Sequence, residues 1–281
     1  MLKQRVLTAL VLLMVLLPAL FYVRPEPFFL IAAMFIAAGG WEWGRMNGLR
    51  MSAALLAGGM CVGICLVMWL AGWLVEPLPR VWLVAGSLWV LAGAWILKAG
   101  VGAWGQVFRP LRIVLGLLAL CLTWLAVAQA RLLGVNFLLS VLALVWMADI
   151  GAYFAGRALG GRFTRSKLAA SISPGKSWEG VWGGMIGVLL MAFVWRYADA
   201  ASGSATPSFY TLLGLRGLGF LLVAVVFMAA MSVVGDLVES LVKRSAGVKD
   251  SSALLPGHGG VLDRVDALLP TLPLAMMLIS F

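Results

Sequence analysis

Hydrophobic residues in this chain come in long unbroken runs, not in alternating or amphipathic patterns. Apolar stretches of about 18–25 residues recur from end to end, the length that crosses a hydrocarbon core of about 30 Å as an α-helix. Nine are placed, at residues 6–23, 27–43, 52–73, 81–98, 111–130, 132–156, 179–197, 212–235 and 266–281; the second and last are short. A membrane β-barrel would instead show short segments of alternating polarity. The pattern predicts an all-α, polytopic integral membrane protein with about nine transmembrane helices.

Composition agrees, with 63% hydrophobic and 11% charged residues in 281. The formal net charge of +10 could suggest a nucleic-acid partner, but its placement argues against one. With the N-terminus inside, 16 of the 21 lysines and arginines fall on the inner side, leaving Arg24, Arg80, Arg131, Arg196 and Arg216 outside. This is the positive-inside bias. The basic excess is therefore expected to face the cytoplasm from the cell (inner) membrane, among membrane lipids. Lys3, Arg5 and the apolar run to Val23 resemble a signal peptide, but no small-residue cleavage site follows, so a retained first span is expected. Cys61, Cys65 and Cys121 lie inside apolar runs with no His, Asp or Glu beside them, which favours packing over metal binding.

Chemistry divides the chain near residue 130. Residues 1–130 read as a membrane scaffold and residues 131–281 as the catalytic region. In the first part Glu42, between Trp41 and Trp43, reads as an interfacial anchor. Gly58, Gly59, Gly63 and Gly72 suggest close helix packing. The polar segment 199–208 reads as a mobile connector.

Asp149 begins the chemistry. It falls inside an apolar run near its inner end, where an unpaired carboxylate costs several kcal/mol. A structural ion pair or a polar cavity wall would each account for it. Arg162 and Arg165 need no more than an ordinary basic inner loop. Ser173 then fits a helix N-cap and Pro174 the first helical position. Free N–H groups there, with Lys176 beside them, would make a phosphate seat. Gly175-Lys176-Ser177 resembles the end of a P-loop, but Ala170 stands where the first glycine is required and no strand precedes it.

A second cluster spans residues 236–266. Asp236, Glu239, Ser240 and Lys243 are spaced i, i+3, i+4, i+7 and share one face if the eighth helix continues past Gly235. Two turns follow, the second being Leu255-Pro256-Gly257-His258-Gly259-Gly260 around the only histidine. Its glycines let backbone N–H groups approach an anion, and a lone histidine makes zinc improbable. Asp263 and Asp266, at i, i+3, can face one direction. Carboxylates clustered beside Lys and Arg favour hard, oxygen-ligated Mg²⁺ carrying phosphates.

The 236–266 stretch resembles the signature of the phosphatidate cytidylyltransferases (CDP-diacylglycerol synthases). Ser240, Lys243, Arg244, Lys249, Asp250, Ser252, Leu255, Pro256, His258, Gly259, Gly260, Asp263, Arg264 and Asp266 stand in its register. Two upstream elements of that family are also present: Asp149…Tyr153…Gly156-Arg157, and Ser-Pro-x-Lys-x-x-Glu-Gly at 173–180. Gly175 replaces a commoner lysine. The resemblance implies a multi-span enzyme, commonly a homodimer, that forms CDP-diacylglycerol and pyrophosphate from CTP and phosphatidate.

Under that resemblance Asp236, Asp263 and Asp266 are the expected metal ligands, Asp266 the least firmly. The catalytic set is Lys243, Arg244, Lys249, Asp250, His258 and Arg264. Ser173, Lys176, Glu179, Ser240, Gly259, Gly260 and Asp149 are expected to bind substrate. Mg²⁺ is the expected cofactor, with a monovalent cation as a second candidate. A transporter would use such charges to line a path, yet here they gather on one side and in one half. The D-G-x-x-A-R pattern of the CDP-alcohol phosphatidyltransferases is not found.

Overall fold

The computed structural model describes residues 2–164, 166–203 and 205–281, so Arg165 of the basic loop and Ser204 lie outside the described residues. The described residues form helices α1 (Leu2–Phe21), α2 (Glu26–Met46), α3 (Met51–Leu70), α4 (Pro79–Ala99), α5 (Val101–Gln106) and α6 (Arg109–Leu133). Then follow α7 (Val135–Leu159), α8 (Trp178–Ser202), α9 (Phe209–Leu215), α10 (Leu218–Ser245), α11 (Leu262–Val265) and α12 (Leu268–Ser280). Eight of these, α1 to α4, α6 to α8 and α10, are long and apolar enough to cross a membrane, as an all-α polytopic fold requires.

Two expected spans differ. The run at 266–281 is a helix of 13 residues, about 20 Å long. It packs against α4, α6 and α10 with Leu269 to Met276 buried, so its hydrophobicity serves the protein interior. The run at 212–235 is split. α9 ends at Leu215, Gly217 turns the chain with φ 108°, and α10 then continues to Ser245, carrying the helix through the charged positions.

One hydrophobic core draws on both halves of the chain, from Leu20 and Phe29 to Leu272 and Leu274. Its tightest seam joins α7 to α8. A Cβ on Gly184 would sit 2.7 Å from the Ala148 carbonyl oxygen, and one on Gly183 would sit 2.1 Å from the Ala155 Cβ. Small residues let the two backbones touch. Of the four glycines expected at helix contacts, Gly58 alone is at one, its Cβ position lying 2.5 Å from the Ala37 carbonyl oxygen. Gly59 and Gly63 face open space, and Gly72 turns the chain with φ 81°.

The end of the bundle remote from the basic loops is fastened, where a mobile connector was expected. Asp199 accepts from Asn136 Nδ2 at 2.9 Å, the Ser208 backbone N–H at 3.0 Å and Thr211 Oγ1 at 2.6 Å. A carboxylate at the end of α8 thus pins the start of α9. Asp199→Ala is expected to destabilise the fold by about 1–3 kcal/mol. Thermal unfolding in detergent reads this as a lowered midpoint.

Candidate active site

Helix ends deliver the charged side chains to one end of the bundle. The Lys176 Nζ, in the loop before α8, bonds Asp236 Oδ2 on α10 at 2.5 Å, and Ser240 Oγ donates to Asp236 Oδ1 at 3.2 Å. One helical turn on, Lys243 pairs with Glu239 and bonds Asp263 Oδ1 at 2.6 Å. Lys243, Glu239 and Asp263 expose 11%, 3% and 5% of their side chains, so this is a buried ion triad. The expected single face of Asp236, Glu239, Ser240 and Lys243 therefore exists, and its members bond one another.

Asp263 is saturated. Besides Lys243 it accepts at Oδ2 from the Ser251 N–H at 2.9 Å, Ser251 Oγ at 2.9 Å and the Gly260 N–H at 2.8 Å. Burial pushes its carboxyl up, but the Lys243 ammonium and those N–H donors outweigh this and hold it below the usual range. Asp266 goes the other way. Burial, then the charge of Asp236, push it up to about 7, with Asp149 adding to the effect. Asp149 on α7 enters no hydrogen bond or ion pair among the described residues and lies in the field of Asp236, Lys176 and Arg264. Close backbone contact brings Asp236 to Asp266: a Cβ on the neighbouring Gly235 would be 2.6 Å from the Asp266 carbonyl oxygen.

The loop before α8 differs from expectation. Ser173 is not the N-cap; Ser177 is, accepting from the Gly180 N–H at 3.2 Å. Pro174-Gly175 turns the chain instead of opening a helix, closed by Leu168 N–H to the Lys176 carbonyl at 3.3 Å. Lys167 donates to the Pro174 carbonyl at 2.8 Å. Glu179 is buried, and its Oε1 gathers Phe163 N–H, Thr164 N–H and Thr164 Oγ1. In this structure Glu179 shapes the loop.

In the glycine-rich turn, the His258 N–H bonds the Leu255 carbonyl at 2.8 Å, while its Nδ1 is buried with no hydrogen-bond partner among the described residues. Arg5 Nε and Thr8 Oγ1 of α1 reach the carbonyls of Gly257 and Pro256 at 3.0 and 2.9 Å. The Gly259 Cα lies against Asp263, and a Cβ there would meet Oδ2 at 2.7 Å. Arg244 bonds the carbonyls of Ile172 and Val248. Lys249, Asp250 and Arg264 are exposed. Glu42, expected as an interfacial anchor, is instead fully buried beneath this loop. A carboxylate in an apolar helix needs partners, and that signal pointed inward despite the flanking tryptophans.

No group of three Asp, Glu, His or Cys side chains among the described residues is close enough to hold a metal by protein ligands alone. Mg²⁺ does not require one; it keeps waters and binds through one or two carboxylates plus substrate phosphates. Asp236 and Asp266, brought together where Gly235 of α10 packs on the Asp266 carbonyl oxygen, would supply two carboxylates of that kind. Asp263 Oδ1 could join them only by exchanging Lys243.

These features define an integral membrane protein with a mixed-sign site suited to phosphorylated ligands. Residues 3–281 match the model of the cytidylyltransferase family, and the chain belongs to that family. A phosphatidate cytidylyltransferase of Pseudomonas aeruginosa is 40% identical over 97% of this chain and 95% of its own length. One of Haemophilus influenzae is 39% identical over 97% and 96%, and one of Brucella suis 35% over 95% and 89%.

Proposed function

We propose that the chain transfers the cytidylyl group of CTP to phosphatidate, giving CDP-diacylglycerol and pyrophosphate, in phospholipid biosynthesis. Family membership and relatives matched over nearly their whole length support the reaction. One observation carries the site: Lys176 bonds Asp236 on α10, Lys243 bonds Asp263 on α11, and Gly235 beside Asp236 packs on the Asp266 backbone, so acidic and basic side chains from separate elements meet at one end of the bundle.

The reaction needs no protein nucleophile. A phosphate oxygen of phosphatidate attacks the α-phosphorus of CTP; one P–O bond forms, the bond to the bridging oxygen breaks, and pyrophosphate leaves. The chain must orient two polyanions and offset their charge. Lys176, Lys249 and Arg264 are assigned to phosphates, because none is enclosed between two carboxylates as Lys243 is. Mg²⁺ is the proposed cofactor on Asp236 and Asp266, where it would neutralise and orient phosphate oxygens.

Cytosolic CTP and the positive-inside bias support a site on the cytoplasmic face of the inner membrane. A homodimer, implied by the family resemblance, is the proposed working form. Purified protein in detergent is expected to release pyrophosphate when CTP, phosphatidate and Mg²⁺ are all present, and to move label from the α-phosphate of CTP into lipid. Release without phosphatidate, or none with all three, contradicts the reading.

A further inference from the structure

Glu42 sits at 0% exposure near the end of α2, and each of its oxygens takes two donors. Oε1 accepts from Ser252 Oγ at 2.5 Å and the Val261 N–H at 2.9 Å. Oε2 accepts from Ser251 Oγ at 3.2 Å and the Leu262 N–H at 2.7 Å. The donors come from two arms of one connection, 251–252 after α10 and 261–262 entering α11. Glu42 thus ties together both sides of the turn that carries His258. The closure leaves no room for a side chain: a Cβ on Gly260 would lie 2.4 Å from Glu42 Oε1 and 2.1 Å from Ser251 Oγ.

Glu42 is itself held firmly. Trp43 Nε1 bonds the Arg112 carbonyl on α6 at 2.9 Å, and Gly40 lies against α3, its Cβ position 3.2 Å from Gly58 Cα. From this fixed post one chain of contacts leads to the charged cluster. The Ser251 hydroxyl faces both Glu42 Oε2 and Asp263 Oδ2, Asp263 bonds Lys243, and Lys243 pairs with Glu239.

We propose that Glu42 is a positioning residue for cytidylyl transfer: by clamping 251–252 to 261–262 it sets the place of Lys249 and Arg264, which flank the clamp and are assigned to phosphates, without touching either reactant. The proposal rests on the transferase reading above. A carboxylate is required chemically: the Val261 and Leu262 N–H groups converge on its two oxygens and cannot reverse, Ser252 adds a hydroxyl, and Ser251 shares its one hydroxyl proton between Glu42 and Asp263. Glutamine has one oxygen, so its amide must face Val261 N–H or Leu262 N–H and leave that donor unmet. Aspartate keeps both oxygens but is a methylene too short to reach both arms.

Displacing a reactive constellation by about 1 Å costs on the order of 100-fold in rate. Glu42→Gln is therefore expected to lower kcat about 10- to 100-fold, with KM for CTP changed less than about threefold. Ser251→Ala breaks the same chain one step later, so combining the two should cost much less than the product of the single effects. A merely structural role would lower the unfolding midpoint and leave kcat per folded molecule unchanged, as expected for Asp199→Ala at the far end. A folded Glu42→Gln protein with kcat within about twofold of wild type overturns the proposal, whatever its midpoint. If Glu42→Gln yields no folded protein, Ser251→Ala decides by the same criterion. An inactive wild-type protein would instead sink the transferase reading.

Discussion

Asp236→Asn is expected to cut turnover at least about a hundredfold in a protein that still folds, whereas Asp263→Asn loses fold and turnover together. Asp236 has 31% of its side chain exposed, and its structural bonds are a pair with Lys176 and a hydroxyl contact from Ser240. A partly exposed pair of this kind is worth about 0–1 kcal/mol, so the unfolding midpoint should barely move. Turnover should fall about 10²–10³-fold, the usual cost of removing one preorganised electrostatic contact to a transition state. Asp263, 5% exposed, accepts from Lys243, twice from Ser251 and from Gly260. An asparagine there must turn its amide toward Lys243 or toward the three donors. Breaking a buried pair costs about 3–5 kcal/mol. A metal ligand alone would leave Asp263→Asn folded and inactive; the saturated bonding of Asp263 adds the loss of fold. Midpoints and turnover measured on both variants separate the two roles.

The second large effect concerns Lys243→Met. The substitution preserves the stem and removes the one cation between Glu239 and Asp263. Two buried carboxylates then face each other uncompensated, at a cost of about 3–5 kcal/mol. Adding Glu239→Gln removes one of those charges and is expected to restore part of the lost midpoint, while turnover stays low. A double variant no more stable than Lys243→Met would show that the triad is not what holds α10 to α11.

Local periodicity made part of this site legible in the sequence. Spacing along one helix places Asp236, Glu239, Ser240 and Lys243 together once α10 continues past Gly235, and helix spacing survives folding. The resemblance of 236–266 to a known signature kept its register because no insertion interrupts it. Partnerships across long sequence distance were not legible. Nothing near Glu42 encodes Ser251, Ser252, Val261 or Leu262, and the tryptophans beside it mimic a membrane-edge anchor. A carboxylate inside an apolar helix persists where it binds or holds something, and this is as true of Glu42 as of Asp149.

The helix start before α8 is ambiguous in the sequence for a related reason. Ser173-Pro174 has N-cap chemistry, but Pro174-Gly175 also makes a turn, and the helix waits for Ser177. Counting spans by hydropathy counted α12, because a short helix buried in protein is as apolar as one buried in lipid. The α7–α8 seam lay in plain view as Gly151, Gly183 and Gly184, yet glycine counts alone cannot tell a touching face from an open one.

In the proposed reaction, carboxylates of α10 and the α11–α12 junction would jointly hold the divalent cation that neutralises the phosphates of the reactants. Mn²⁺ in place of Mg²⁺, followed by electron paramagnetic resonance on purified protein with CTP, tests it directly. A bound Mn²⁺ signal is expected in wild type, lost in Asp236→Asn and in Asp266→Asn and retained in Asp199→Ala. Unchanged Mn²⁺ binding in both Asp236→Asn and Asp266→Asn would contradict it.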